Sequence, residues 1–142
     1  MASTCIFCKI VRGEIPSAKV AESAKALALM DIGPLARGHV LVIPKAHAAY
    51  LHELDLESAA EVGLLVAKVS RAVAGPDGST QYNVLQNNGR MAHQEVPHVH
   101  FHVIPKRDTD TGLKVGWDVI KVTPDELAED AKRYREVIEN LQ

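Results

Sequence analysis

The chain has 142 residues, 46% of them hydrophobic and 24% charged, and a formal net charge of −2. That is one domain's length, with enough apolar material to bury a core without disulfides, and the balance argues against intrinsic disorder. The slight negative charge argues against a broad nucleic-acid binder, which needs a basic stripe, but leaves room for a small anionic ligand held by backbone N–H groups.

The N-terminus, "MASTCIFCKIVRGEIPSAK", lacks the apolar stretch of a secretory signal. No apolar run approaches the roughly 20 residues that span a bilayer, so a soluble protein of the cytoplasm or nucleus is expected. The cysteines, Cys5 and Cys8, form a C-x-x-C. In a reducing compartment this reads as metal ligation or redox chemistry rather than a structural disulfide, with two buried apolar thiols as the alternative. A thioredoxin-like role fits poorly, because the motif precedes the first strand. Zinc wants about four ligands, and without a second C-x-x-C histidines must supply the rest.

Residues 18–22 (AKVAE) and 26–31 (ALALMD) predict two strands, followed by the turn "GPLARG". "HVLVIP" predicts a buried strand stopped by Pro44. Asp55 is the expected N-cap of a long helix, "LESAAEVGLLVAKVSRAV", whose helical pattern is blurred by small residues. "QYNVLQ" gives a fourth strand, "NNGRMAHQEVP" a long polar loop and "HVHFHVIP" a fifth strand, while "GLKVGW" has no clear period. A last helix is expected from Thr123, with Pro124 first and Glu126 closing a capping box. Its Leu127, Ala131, Tyr134, Ile138 and Leu141 form a face that should dock on something. The sum is an α+β fold with a five-stranded, mainly antiparallel sheet, one long helix and a C-terminal helix. One domain spans 1–142, with its core in about 1–108 and a tail over 109–142.

His98, His100 and His102 alternate with Val99, Phe101 and Val103 in the fifth strand. A period of two puts the three imidazoles on one face, at steps of roughly 6.5–7 Å. Such a row is a metal site, reaction machinery, or both.

"HVHFHVI" fits the His-φ-His-φ-His-φ-φ signature of the histidine triad superfamily. "CIFCKIVRGEIPS", "LMDIGPLARGHVLVIPKAH" and "LQNNGRMAHQEVPHVHFHVIPKRD" also stand in that family's order and spacing. The chain resembles the Hint branch, the purine nucleoside phosphoramidases, and within it the fungal adenosine 5′-monophosphoramidases. The resemblance implies a HIT-like fold and a homodimer whose sheets join into ten continuous strands. It also implies P–N cleavage of adenosine 5′-monophosphoramidate-type substrates through a covalent nucleotidyl-histidine.

On that resemblance His100 is the nucleophile. His102 bonds the phosphate and passes a proton to the leaving amine, and His39 lines the phosphate pocket. Asp31 holds the ribose hydroxyls, while Phe7, Ile10 and Ile32, with Met30, sandwich the base. Asn87 holds the phosphate end, and the run His93, Gln94, Glu95, Val96 offers backbone N–H groups to phosphate oxygens. Cys5, Cys8, His47 and His98 hold a structural zinc ion, and no organic cofactor is implied. Trp117 reaches toward the partner subunit's site and shapes leaving-group specificity. Many relatives have glycine at the position of His93, which is expected to point outward.

Neither nucleic acid nor membrane is an expected partner. Dinucleoside polyphosphate hydrolases and nucleotidylyl transferases belong to the same superfamily, and a non-catalytic zinc and nucleotide-binding module is the rival of another class. A cupin-like iron site is disfavoured, because such a triad needs a carboxylate and none is expected in place.

Overall fold

The computed structural model describes residues 4–141. Its elements in chain order are α1 (Ile6–Val11), β1 (Lys19–Glu22), β2 (Ala26–Met30), β3 (Val40–Pro44), α2 (Leu56–Ala74), β4 (Gln81–Gln86), β5 (Phe101–Lys106) and α3 (Pro124–Glu139). The strands form one antiparallel sheet in the order β1-β2-β3-β5-β4. The expected α+β sheet and both expected helices are present.

Alternation along β2 and β3 divides the core between two faces. Ala26, Ala28, Val40, Val42 and Val103 pack under α2 against Val62, Leu65 and Val69. Leu27, Leu29, Leu41 and Ile43 face the other way and meet Cys5, Phe7, Cys8 and Ile10 of the N-terminal segment. β3 is buried along its whole length, as a strand covered on both faces must be. Each fully buried Leu, Ile or Val contributes roughly 1.5–3 kcal/mol, so both faces stabilise the sheet.

The helix ends follow the sequence signals. Asp55 accepts from the Ser58 amide at 2.9 Å, and Thr123 and Glu126 close the expected box at the start of α3. Glu61 of α2 accepts from Ser23 Oγ and the Lys25 amide, both at 2.8 Å, which ties the β1–β2 turn to the helix.

The structure differs from the sequence expectations in four places. A helix, α1, occupies the N-terminal segment for which no element is expected; six residues are too few for a period to show. β5 begins at Phe101, not His98. β4 ends opposite Phe101, and the pairing with β3 stops there too, at Val42, although β3 itself continues to Pro44; His98–His100 therefore precede the ladder. No residue of α3 is buried, so its apolar face is uncovered among the described residues. Trp117 lines the cleft of its own chain, because the tail turns back at Gly112. There the Gly112 amide donates to Leu35 O at 2.8 Å, with φ at +87° and only 2.8 Å between a built Cβ and Pro105 O.

Candidate active site and metal centre

Period-two alternation carries the chemistry to one face. Asp31 follows Leu27 and Leu29 beyond the end of β2, and His39 precedes Leu41 and Ile43 on β3. His102 lies opposite Leu41, so three polar side chains from three adjacent strands meet on the α1 face of the sheet. His39 Nε2 stands 2.9 Å from His102 Nδ1 and 3.4 Å from Asp31 Oδ2.

The hydrogen bonds fix where the protons sit. The Leu35 amide donates to His39 Nδ1 at 3.1 Å, so the proton of neutral His39 is on Nε2 and is donated to His102 Nδ1. The proton of neutral His102 is therefore on Nε2. His100 Nδ1 donates to the His98 carbonyl at 2.7 Å, since a carbonyl can only accept. This leaves the lone pair of neutral His100 on Nε2. The His100 and His102 rings stand 5.0 Å apart in an edge contact.

Burial pushes the His102 imidazole down to about 4, reinforced by the neighbouring His100 and His39 and opposed by Asp31. Burial also lowers His39 against the pull of Asp31. Both are neutral at pH 7 before an anion arrives.

Asp31, His39 and His102 form a two-histidine, one-carboxylate cluster. The expectation that no carboxylate sits in place is thus corrected. A metal ion there would need the lone pair of His39 Nε2, which the Leu35 amide denies it by occupying Nδ1, so the cluster reads as a hydrogen-bond relay.

A second cluster lies behind the first. Cys5, Cys8, His47 and His98 bring their donor atoms within 4.8 Å of one another. His98 Nε2 donates to Pro44 O at 2.9 Å, turning the Nδ1 lone pair toward the thiols. His98 Nδ1 is 3.4 Å from Cys5 Sγ, 3.6 Å from Cys8 Sγ and 3.1 Å from His47 Nδ1. Ligands about 2.0–2.3 Å from a tetrahedral zinc ion stand roughly 3.3–3.8 Å apart, so these residues fit that ion. Burial pushes His98 down to about 4, partly offset by its bond to Pro44 and deepened by His47 and His100; the neutral ring is the one that ligates.

The cleft over the relay has a volume of about 860 Å³. Phe7 and Ile10 of α1 form one wall, with the Phe7 ring 5.2 Å from that of His100. Met30 and Ile32 stand at the mouth, and Ile32 is 96% exposed. Asn87, His93, Glu95 and Val96 also line the cleft, Val96 packing against the α1 cluster.

His93 is exposed and borders the cleft. It takes φ of +68°, the one left-handed non-glycine among the described residues. Gln94 is buried and does not line the cleft; its side chain bonds Gly89 N, Ala49 O and Val96 O. The backbone amides of His93 and Gln94 are taken by Arg90 O and Gly89 O. Those of Glu95 and Val96 donate to no backbone carbonyl among the described residues.

The groups that sequence reading missed are backbone atoms: Leu35 N–H, Pro44 O and His98 O. No residue type announces them, because any side chain could stand there.

Residues 12–109 match the model of the family described as HIT domain. The chain is 56% identical over 124 residues to "Adenosine 5′-monophosphoramidase hnt1" of Schizosaccharomyces pombe, covering 87% of this chain and 90% of that one. It is 44% identical over 140 residues to "Adenosine 5′-monophosphoramidase HNT1" of Saccharomyces cerevisiae, covering 99% and 84%. Among solved structures, a hypothetical protein from Leishmania major is 72% identical with a TM-score of 0.96, covering 99% of this chain and 100% of that one. The histidine triad nucleotide-binding protein from Candida albicans is 43% identical with a TM-score of 0.89, covering 98% and 100%.

Proposed function

The chain belongs to the HIT domain family, and from that membership we propose that it hydrolyses the P–N bond of adenosine 5′-monophosphoramidate-type substrates through a covalent nucleotidyl-histidine. The observation that carries this reading is the bond from His100 Nδ1 to the His98 carbonyl. It commits Nε2 as the nucleophilic atom in a cleft large enough for a nucleotide.

Attack by His100 Nε2 forms an N–P bond, and the P–N bond breaks with its electron pair going to the amine. An anionic phosphoryl group beside His102 favours the protonated ring, with the added proton on Nδ1 and the His39 Nε2–H turned to Asp31 Oδ2. The ring then gives its Nε2 proton to the leaving nitrogen, general acid help worth about 10²–10⁴-fold. Water next attacks the phosphorus and returns a proton to His102. The N–P pair returns to His100, and AMP leaves. Splitting the displacement in two avoids one difficult step.

Asp31 Oδ1 already accepts from the Gly33 amide at 2.7 Å, so its carboxylate is held in place to receive ribose hydroxyls. Phe7, Ile10 and Ile32 suit a base by their apolar character, and the Glu95 and Val96 amides suit phosphate oxygens. Cys5, Cys8, His47 and His98 would hold a structural zinc ion, which supplies a crosslink between α1 and the segment before the nucleophile.

A homodimer through β4 accords with the two sheet edges. β1 is short and its Glu22 is paired with Lys19 and Lys45, a charged edge that resists pairing. β4 runs six residues, "QYNVLQ", without a charge. A Val84→Lys substitution is expected to yield monomer in light scattering.

The test is rapid quenching with an activated AMP amide followed by intact-protein mass spectrometry. One nucleotidyl group on His100, and none in His100→Ala, is expected. Near-normal turnover by that variant would sink the mechanism, and faster turnover of diadenosine polyphosphates would move the chain to another branch.

A further inference from the structure

The hydrolytic reading leaves the thiol pair with no role beyond holding a metal. Yet α1 carries both sets of groups within one turn and a half: Cys5 as its N-cap and Cys8 for the metal cluster, Phe7 and Ile10 for the cleft wall. The Phe7 ring meets His98 and His100 edge-on at 5.6 and 5.2 Å. The His98 ring faces the thiols while its carbonyl fixes the His100 proton. A smaller cavity of about 340 Å³ reaches Cys5 and His47 from solvent, and it shares Ile6, Glu95 and Val96 with the large cleft as a common wall. The Cys5 and Cys8 sulfurs lie within 4.8 Å of each other, on one turn of the chain.

We propose that Cys5 and Cys8 are a redox modification site. A two-electron oxidant of the hydroperoxide class joins them as a disulfide, expels the metal ion and frees α1 from His47 and His98, so that Phe7 and Ile10 leave the nucleotide cleft. The Cys5 thiolate, the one bordering the small cavity, attacks the distal peroxide oxygen. The O–O bond breaks with its electron pair going to the other oxygen, leaving Cys5 as a sulfenic acid and releasing hydroxide (alkoxide from an organic hydroperoxide), which takes a proton from solvent. The Cys8 thiolate then attacks that sulfur and displaces hydroxide, which takes a second proton from solvent and leaves as water. Two electrons pass from the sulfurs to the peroxide, and a neutral disulfide no longer holds zinc. The nucleotide consequence rests on the proposed phosphoramidase reading.

The experiment treats zinc-loaded protein with hydrogen peroxide at neutral pH. It reads four quantities: the mass of the Cys5–Cys8 peptide, zinc released to a chromogenic chelator, hydrogen exchange across residues 6–11, and AMP affinity by calorimetry. A disulfide, one zinc ion per disulfide, faster exchange in α1 and AMP binding weaker by roughly tenfold or more are expected together, all reversed by a dithiol with added zinc. Thiols that survive excess peroxide, zinc retained beside a disulfide, or unchanged α1 exchange and AMP affinity after disulfide formation each overturn the proposal. In Cys8→Ser, peroxide is expected to cause no further loss of AMP affinity; a further loss assigns the effect elsewhere and overturns it too. Untreated protein that binds no AMP counts against the nucleotide reading alone, because zinc release and α1 exchange still test the clip.

Discussion

Replacing His39 by alanine breaks the middle of the donor chain that runs from the Leu35 amide through His39 to His102. His39 is 1% exposed, so the loss removes two hydrogen bonds, each about 1 kcal/mol net, and leaves a cavity. Together these cost about 2–4 kcal/mol of stability. The chemical step loses the group that orients His102, about 10–100-fold in kcat if the bond contributes 1.4–2.8 kcal/mol more in the transition state. KM changes less, because the α1 wall is untouched and Asp31 keeps the bond it accepts from the Gly33 amide. Glutamine can still donate to His102 Nδ1, whereas asparagine can still accept from Leu35 but is too short to reach His102. Steady-state rates on adenosine 5′-monophosphoramidate should therefore rank glutamine above asparagine and alanine. By NMR, His102 should titrate near about 4 in the parent and move up toward its ordinary value near 6.5 in His39→Ala, as water enters. Equal rates for the three variants, or an unmoved His102, would refute the relay.

Folding stability should rise with pH between about 4 and 6.5. His39 and His102 are both held below their unfolded value, so the unfolded chain binds more protons in that window. The contribution is full above about 6.5 and lost as pH falls toward about 4. Urea midpoints across this range test it, and His102→Gln should flatten the slope. His93→Gly relieves a left-handed φ that costs about 1–2 kcal/mol, against an entropic loss of roughly 0.5–1. A net gain of about 0.5–1 kcal/mol is expected, read from the urea midpoint. Gly112→Ala places Cβ 2.8 Å from Pro105 O and should free the tail that carries Trp117. The expected result is a raised KM for amidates with bulky leaving groups and near-parent kcat for the unsubstituted amide.

Long, strongly patterned elements were legible. "QYNVLQ" matches β4 residue for residue, and Asp55 and Thr123 cap α2 and α3 as their side chains dictate. The histidine row was legible as chemistry but not as geometry. His98 joins the thiols, His102 joins His39 and Asp31, and His100 lines the cleft beside Phe7, a division set by residues from other elements that no period within "HVHFHVIP" contains. α1 escaped notice because six residues carry no period. The exposed face of α3 shows the reverse: a clear helical pattern predicts a helix without saying what covers it.

The two sides of the sheet are unequally roofed. The 19 residues of α2 close one side, while on the other α1 has only six and leaves Leu29 and Leu41 at the bottom of an open hollow. An aromatic ring dropped there completes the hydrophobic interior much as a small apolar guest fills an engineered void. Adenosine should then raise the melting temperature where inorganic phosphate does not. Each round of catalysis, on this view, assembles and dismantles a piece of the protein's own interior.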